Sequence, residues 1–235
     1  MKTAREAISR LANRHRVLIL GGIAVIAHGL PRATQDVDIW LDPSQDIGAW
    51  ADVVRRWLVA EGLTCARATE RVGLFAAIES AEIERVASAD SFIRALGADR
   101  PIDVFFQLRN LERSDFDPAW HRARPLQDGP RVLDAVDLLL TKLGTERDHD
   151  AADAQFLERR IEAQYKDRLR HCSFEEATML LQRFATPEIL AFAATDSDEP
   201  RVRKIAGEML EEMARSGDPY AVDLAARLRR ARPGV

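Results

Sequence analysis

The sequence predicts an α/β (α+β) fold, a mixed β-sheet flanked by helices and followed by a C-terminal α-helical domain. Three observations lead there. Short apolar runs bounded by turn residues, Val17–Leu20, Val37–Leu41 and 102–108, read as buried strands. Between them, residues 47–60 repeat Ile47, Trp50, Val53, Val54, Trp57 and Leu58 at helical spacing. From Ser173 onward the pattern is helical throughout, cut into short helices by Pro187, Pro200 and Gly217-Asp218-Pro219.

Taken in order, residues 3–14 form an amphipathic helix with Ala7, Ile8, Leu11 and Ala12 as its apolar stripe. The strand Val17–Leu20 meets Gly21-Gly22, which leads into a helical segment over 23–28, and Gly29-Leu30-Pro31 turns the chain back into Val37–Leu41. Pro43-Ser44-Gln45-Asp46 caps the helix over 47–60, and Glu61-Gly62 ends it. Residues 63–98 are ambiguous: 74–78 suit a strand, and 92–96 suit either a helix or a strand. Asp99-Arg100-Pro101 then feeds the strand over 102–108. Residues 109–131, rich in Pro, Arg and Asp, read as a loop, and a long helix is expected from Val132 through Asp153. Ser173 and Glu176 have the spacing of a capping box. The organisation expected is a catalytic domain over residues 1–130 and an α-helical domain over 131–235 that positions an acceptor or a partner.

Composition narrows the class. The chain has 235 residues, 46% hydrophobic and 31% charged, enough for a proper core. No apolar run approaches the roughly 20 residues of a membrane span, so no membrane association is expected. The N-terminus lacks a signal-peptide core, and the two cysteines, Cys65 and Cys172, have no metal-ligand spacing, so a cytoplasmic location is expected. A net charge of −4 excludes a global basic field for nucleic acid, although residues 201–235 carry eight basic against five acidic side chains.

The chemistry concentrates where the first two strands meet. Asp36 and Asp38 share one face of a strand, because side chains alternate with a period of two. Adjacent carboxylates repel unless a cation lies between them, and a hard, oxygen-seeking cation such as Mg2+ suits them. Gly21 and Gly22 let a polyphosphate approach backbone N–H groups. Asp103 is an acid inside an apolar strand, which calls either for a third position beside Asp36 and Asp38 or for an arginine partner or a place at the sheet edge. In the helix expected over 132–153, Lys142, Glu146, His149, Asp150 and Asp153 fall on one broad face at 100° per residue. Arg32 and Thr34, just before the acidic strand, suit either phosphate contact or salt bridging and turn stabilisation. His28 suits a helix C-terminus, and the four tryptophans suit core or interface.

Gly21-Gly22, thirteen residues, then Asp36-Val37-Asp38 resembles the signature of the polymerase-β-like nucleotidyltransferase superfamily. The longer run from Gly21 to Leu41, with its His-Gly-x-x-Arg-x-Thr approach to the acidic strand, is similar to the AbiEii-type toxin-like bacterial nucleotidyltransferases. The resemblance implies a nucleotidyltransferase fold, with Asp36, Asp38 and Asp103 as catalytic and metal-binding residues. It also implies nucleotide binding by Gly21, Gly22, Arg32, Thr34, Lys142, Asp150 and Asp153, with Arg147 matching a further motif position. His149 stands where that family shows Lys. Implied cofactors are Mg2+ or, in its place, Mn2+. The implied reaction moves a nucleoside monophosphate from an NTP to an acceptor, with tRNA, another RNA or a protein as candidates and an antitoxin as candidate partner. Two alternatives remain open: a nucleotide-binding regulatory module without transfer, favoured by His149, and an antibiotic-modifying transferase.

Overall fold

The structure is a computed structural model that describes residues 2–69, 74–127, 129–145 and 148–231. The chain divides into two compact units, Met1–Leu157 and Glu158–Val235.

The first unit is built on a mixed sheet. Helix α1 (Ala4–Ala12) is capped by a reciprocal pair in which Thr3 Oγ1 accepts from Glu6 N–H and Glu6 accepts from Thr3 N–H; it buries Ala4, Ala7, Ile8 and Leu11. Strand β1 (Val17–Leu20) is buried at all four positions and runs directly into α2 (Gly21–Ala27). Strand β2 (Val37–Leu41) returns antiparallel to β1. Helix α3 (Ile47–Glu61) starts on an Asp46 cap and stops at Gly62, whose φ of 63° is the left-handed conformation that closes helices. The ambiguous region resolves into β3 (Thr64–Ala68), β4 (Phe75–Ile78), α4 (Ile83–Asp90) and β5 (Phe92–Leu96). Strand β6 (Ile102–Phe105) is shorter than expected, because the N–H groups of Phe106 and Gln107 turn to the Ser91 carbonyl and leave the ladder.

Two expectations are corrected. Residues 109–131 are not a plain loop: they hold α5 (Phe116–Arg122), β7 (Arg124–Pro125) and the start of β8 (Arg131–Val132). Phe116 carries α5 into the core, where it meets Trp40 edge-on with centroids 5.0 Å apart. The long helix beginning at Val132 is also overturned. Val132 belongs to β8, α6 (Ala135–Lys142) starts on an Asp134 cap, and α7 (Asp148–His171) is a separate helix. Leu143 is extended and Gly144 has a φ of 71°, so the helical ladder ends there. Asn110 and Arg109 take up the freed carbonyls, Asn110 Nδ2 donating to Leu140 and Leu143 and Arg109 Nη1 to Gly144.

The strands lie in the order β4-β3-β5-β6-β2-β1-β8-β7. Pairs β2–β6 and β1–β8 are parallel, and the others are antiparallel. Trp40, Trp50 and Trp57 are buried among them, as expected for core residues.

The second unit is helical throughout its described residues. Beyond the end of α7 come α8 (Phe174–Arg183), α9 (Pro187–Asp196), α10 (Pro200–Arg215) and α11 (Pro219–Ala231). Ser173 caps α8, but only half of the expected capping box forms, since the Glu176 carboxylate meets Arg168 rather than reaching back. Prolines open α9 and α10, where the missing N–H is no loss. Ile189, Leu190, Val202, Leu210 and Ala225 are fully buried between them. Among the described residues no helix is long and apolar enough to cross a membrane.

Candidate active site

Sheet register brings the expected carboxylates together. Asp38 on β2 pairs with Asp103 on parallel β6 and with Leu20 on antiparallel β1. Asp36, two residues before Asp38, belongs to the same face. Leu20 is the last residue of β1, so the chain turns into α2 directly against that face. Gly21 has a φ of 59°, and a Cβ there would come within 1.7 Å of Asp38 Oδ2. Only a glycine fits both the conformation and the approach. A Cβ on Gly22 would lie 2.6 Å from Thr34 Oγ1 and 2.9 Å from Arg32 Nη2. The glycine pair thus admits the acid on one side and the 32–34 segment on the other.

The electrostatics of the three acids differ. Asp103 is buried at 6% exposure, whereas a third of the Asp36 side chain is exposed. Asp38 makes no hydrogen bond or ion pair among the described residues. Burial, then repulsion from Asp103 and Asp36, pushes its carboxyl up to about 7, against the pull of Lys142 and Arg94.

Arg94 is the site residue that sequence reasoning missed. It lies on β5 opposite Asp103, in a direct cross-strand pair. Its Nε and Nη2 donate to the two Asp103 oxygens, each at 2.6 Å, and Nη2 also reaches Asp36 Oδ2 at 3.0 Å. The guanidinium lies 3.8 Å from the Phe75 ring centroid. A signal existed: Arg94 interrupts the apolar run Phe92–Leu96 just as Asp103 interrupts its own. Asp103 therefore has the arginine partner weighed as one of its readings, while lying on an interior strand beside Asp38.

A second cluster adjoins the first. Lys142 Nζ meets Asp150 Oδ1 at 2.5 Å and Asp153 Oδ2 at 3.2 Å, and Arg32 Nη2 meets Asp153 Oδ2 at 2.9 Å. Asp150 and Asp153 are buried. Burial works to raise the Asp150 carboxyl, but the hydrogen bond and charge of Lys142 overrule it and hold it below its ordinary value. Arg32 Nε and Asp153 Oδ1 are buried without a hydrogen-bond partner among the described residues. Lys142 comes from α6 and Asp150 and Asp153 from α7, not from one face of one helix, and Arg32 comes from the segment before β2. Thr34 Oγ1 lies 3.3 Å from the Asp36 carbonyl, and His28 caps α2 while its Nε2 lies 2.9 Å from the Leu133 carbonyl. His149 is exposed, and Glu146 and Arg147 lie outside the described residues.

The donor set fits a hard divalent cation at Asp36 and Asp38: oxygen ligands on one face, one of them uncompensated. Among the described residues no group of three or more His, Cys, Asp or Glu side chains forms a ready-made metal cage. Asp36 and Asp103 are instead joined through Arg94.

No protein-family model matches the chain. No curated protein matches it either. Among solved structures, the chain is similar over 97% of its length to 95% of an H. pylori protein described as a candidate nucleotidyltransferase, at 13% identity and a TM-score of 0.36. A likeness that slight carries no argument about fold or function.

Proposed function

We propose that the first unit carries a nucleotidyltransferase site that moves a nucleoside monophosphate from an NTP to an acceptor, releasing pyrophosphate, with Mg2+ or Mn2+ at Asp36 and Asp38. The observation that carries this reading is Asp38: a carboxyl group inside a sheet, facing two further acids, with no hydrogen bond or ion pair among the described residues, and admitted by a glycine whose conformation and lack of a side chain leave it room. A fold does not place an uncompensated acid there for stability. When bound, the divalent cation supplies charge neutralisation for the triphosphate and lowers the pKa of the acceptor hydroxyl.

The remaining work is positioning and charge stabilisation by this chain's own residues. Asp36 and Asp38 would hold the metal, and Asp103 would fix the third corner of the acidic face. The acceptor oxygen forms a bond to the α-phosphorus as the bond to the pyrophosphate oxygen breaks, and the hydroxyl proton leaves to solvent. Gly21 and Gly22 keep side chains out of the approach to β1. Lys142 and Arg32 are committed to Asp150 and Asp153. Their service to a triphosphate therefore requires an exchange of partners. The acceptor is proposed to be an RNA, a tRNA among the candidates, or a protein. An antitoxin partner belongs to the same proposal.

Purified protein with Mg2+ and each α-labelled NTP, with and without total RNA, tests this. Label should pass to RNA or protein and fall at least about a thousandfold in Asp38→Asn and Asp36→Asn. Metal-dependent NTP binding with no transfer to any acceptor would turn the reading to a nucleotide-sensing module. Absence of nucleotide binding would remove it.

A further inference from the structure

Two acids of the site share one cation, and they do not share it equally. Arg94 binds Asp103 through two parallel hydrogen bonds of 2.6 Å, the fork geometry that a guanidinium and a carboxylate prefer. The two residues face each other across antiparallel strands, Phe75 covers the guanidinium plane at 3.8 Å, and the arginine side chain is 15% exposed. The contact to Asp36 is a single bond of 3.0 Å to a carboxylate that is 33% exposed. One arm is fixed and the other is loose.

We propose that Arg94 is a positioning residue and internal counter-cation: it keeps both oxygens of Asp103 and surrenders Asp36 to an incoming divalent metal. The inference rests on the metal reading of Asp36 and Asp38. In the metal-free protein, three carboxylates face one guanidinium, and the loose arm bridges the two that lie farthest along the chain. A metal ion arriving at Asp36 and Asp38 competes with that arm, so Arg94 weakens metal binding. The fixed arm holds Asp103 in one orientation at the moment the metal binds, so Arg94 also supports turnover. The two effects have opposite signs, and a side chain that merely braced the sheet would not produce both.

The test is Mn2+ binding, read from the spin-resonance signal of free Mn2+, on wild type, Arg94→Met, Arg94→Gln, Arg94→Lys and Asp38→Asn. Circular dichroism checks folding, and the two neutral replacements guard against a single misfolded variant. Arg94→Met and Arg94→Gln should bind Mn2+ about tenfold more tightly or better. Arg94→Lys should lie between them and wild type, since one ammonium cannot span both acids. Label transfer by the neutral variants should nevertheless drop about tenfold or more. Unchanged or weaker Mn2+ binding in the folded neutral variants overturns the proposal while leaving the metal site standing, provided that Asp38→Asn loses affinity. Wild-type affinity in Asp38→Asn would instead place the metal elsewhere and bring down both.

Discussion

At the scale of single residues, the site is arranged around a conflict between stability and chemistry. Asp38 is raised to about 7 by burial and by its acidic neighbours, so its charged form opposes folding. Asp38→Asn should abolish transfer and yet stabilise the metal-free protein at pH 8 by about 1–2 kcal/mol, measured by urea denaturation in chelator. A loss of stability in that variant would mean that the carboxylate has a structural partner. Gly21 is the complementary test. Gly21→Ala forces a left-handed alanine and a collision with Asp38 Oδ2, and should lose more than about 2 kcal/mol. Asp38→Ala removes the two carboxylate atoms that would lie 1.7 and 2.6 Å from the new methyl group. The double variant should therefore lose less than the two single variants together.

At the scale of elements, the acids were legible and their arginine was not. Asp36 and Asp38 could be assigned to one strand face because a period of two is a local property, and Asp103 stood out as an acid in an apolar run. Arg94 pairs with Asp103 across strands, and nothing local decided whether residues 92–96 were helix or strand. The helix break at 143–147 was hidden for a related reason. Apolar spacing continued to Leu143, while Leu143's extended backbone and the caps from Asn110 and Arg109 depend on a segment some thirty residues away. Elements are also pinned by charge. Glu61 at the end of α3 receives Arg10 from α1 and Lys2 from the chain start. Burial works to raise Glu61, but those hydrogen bonds more than offset it, so its pKa lies below 4.5. The bridge therefore stabilises the native state above the ordinary glutamate value and is lost as pH falls through the lowered one. Glu61→Gln should cost about 1 kcal/mol at pH 7 and clearly less at pH 3, compared by chemical denaturation at the two pH values.

At the scale of the whole chain, architecture class followed from periodicity, and the sequence suggested two parts. Helix α7 crosses the boundary at Leu157 without a proline or glycine to announce it. The acceptor question also belongs here. Several basic side chains of the C-terminal unit face acids, among them Arg201 with Glu199, Arg215 with Glu212, Arg227 with Asp223 and Arg229 with Glu211. An RNA acceptor would compete with those acids for the same cations. Its affinity should fall only shallowly with salt, with a slope of about two phosphate contacts or fewer in a titration of labelled single-stranded RNA. A steep slope would reveal a basic surface that these pairs conceal.

The shared volume of Gly21 and Asp38 also has an evolutionary reading. One position lacks a side chain because the other has a carboxylate in that space, so neither can drift freely while the site is under selection. Once a lineage abandons the chemistry, replacement of Asp38 by a smaller residue releases the constraint on its neighbour. Descendants that have lost the acid should accumulate alanine or serine in place of the glycine. Lineages that keep the acid should show none, so the glycine is a record of whether the proposed reaction is still in use.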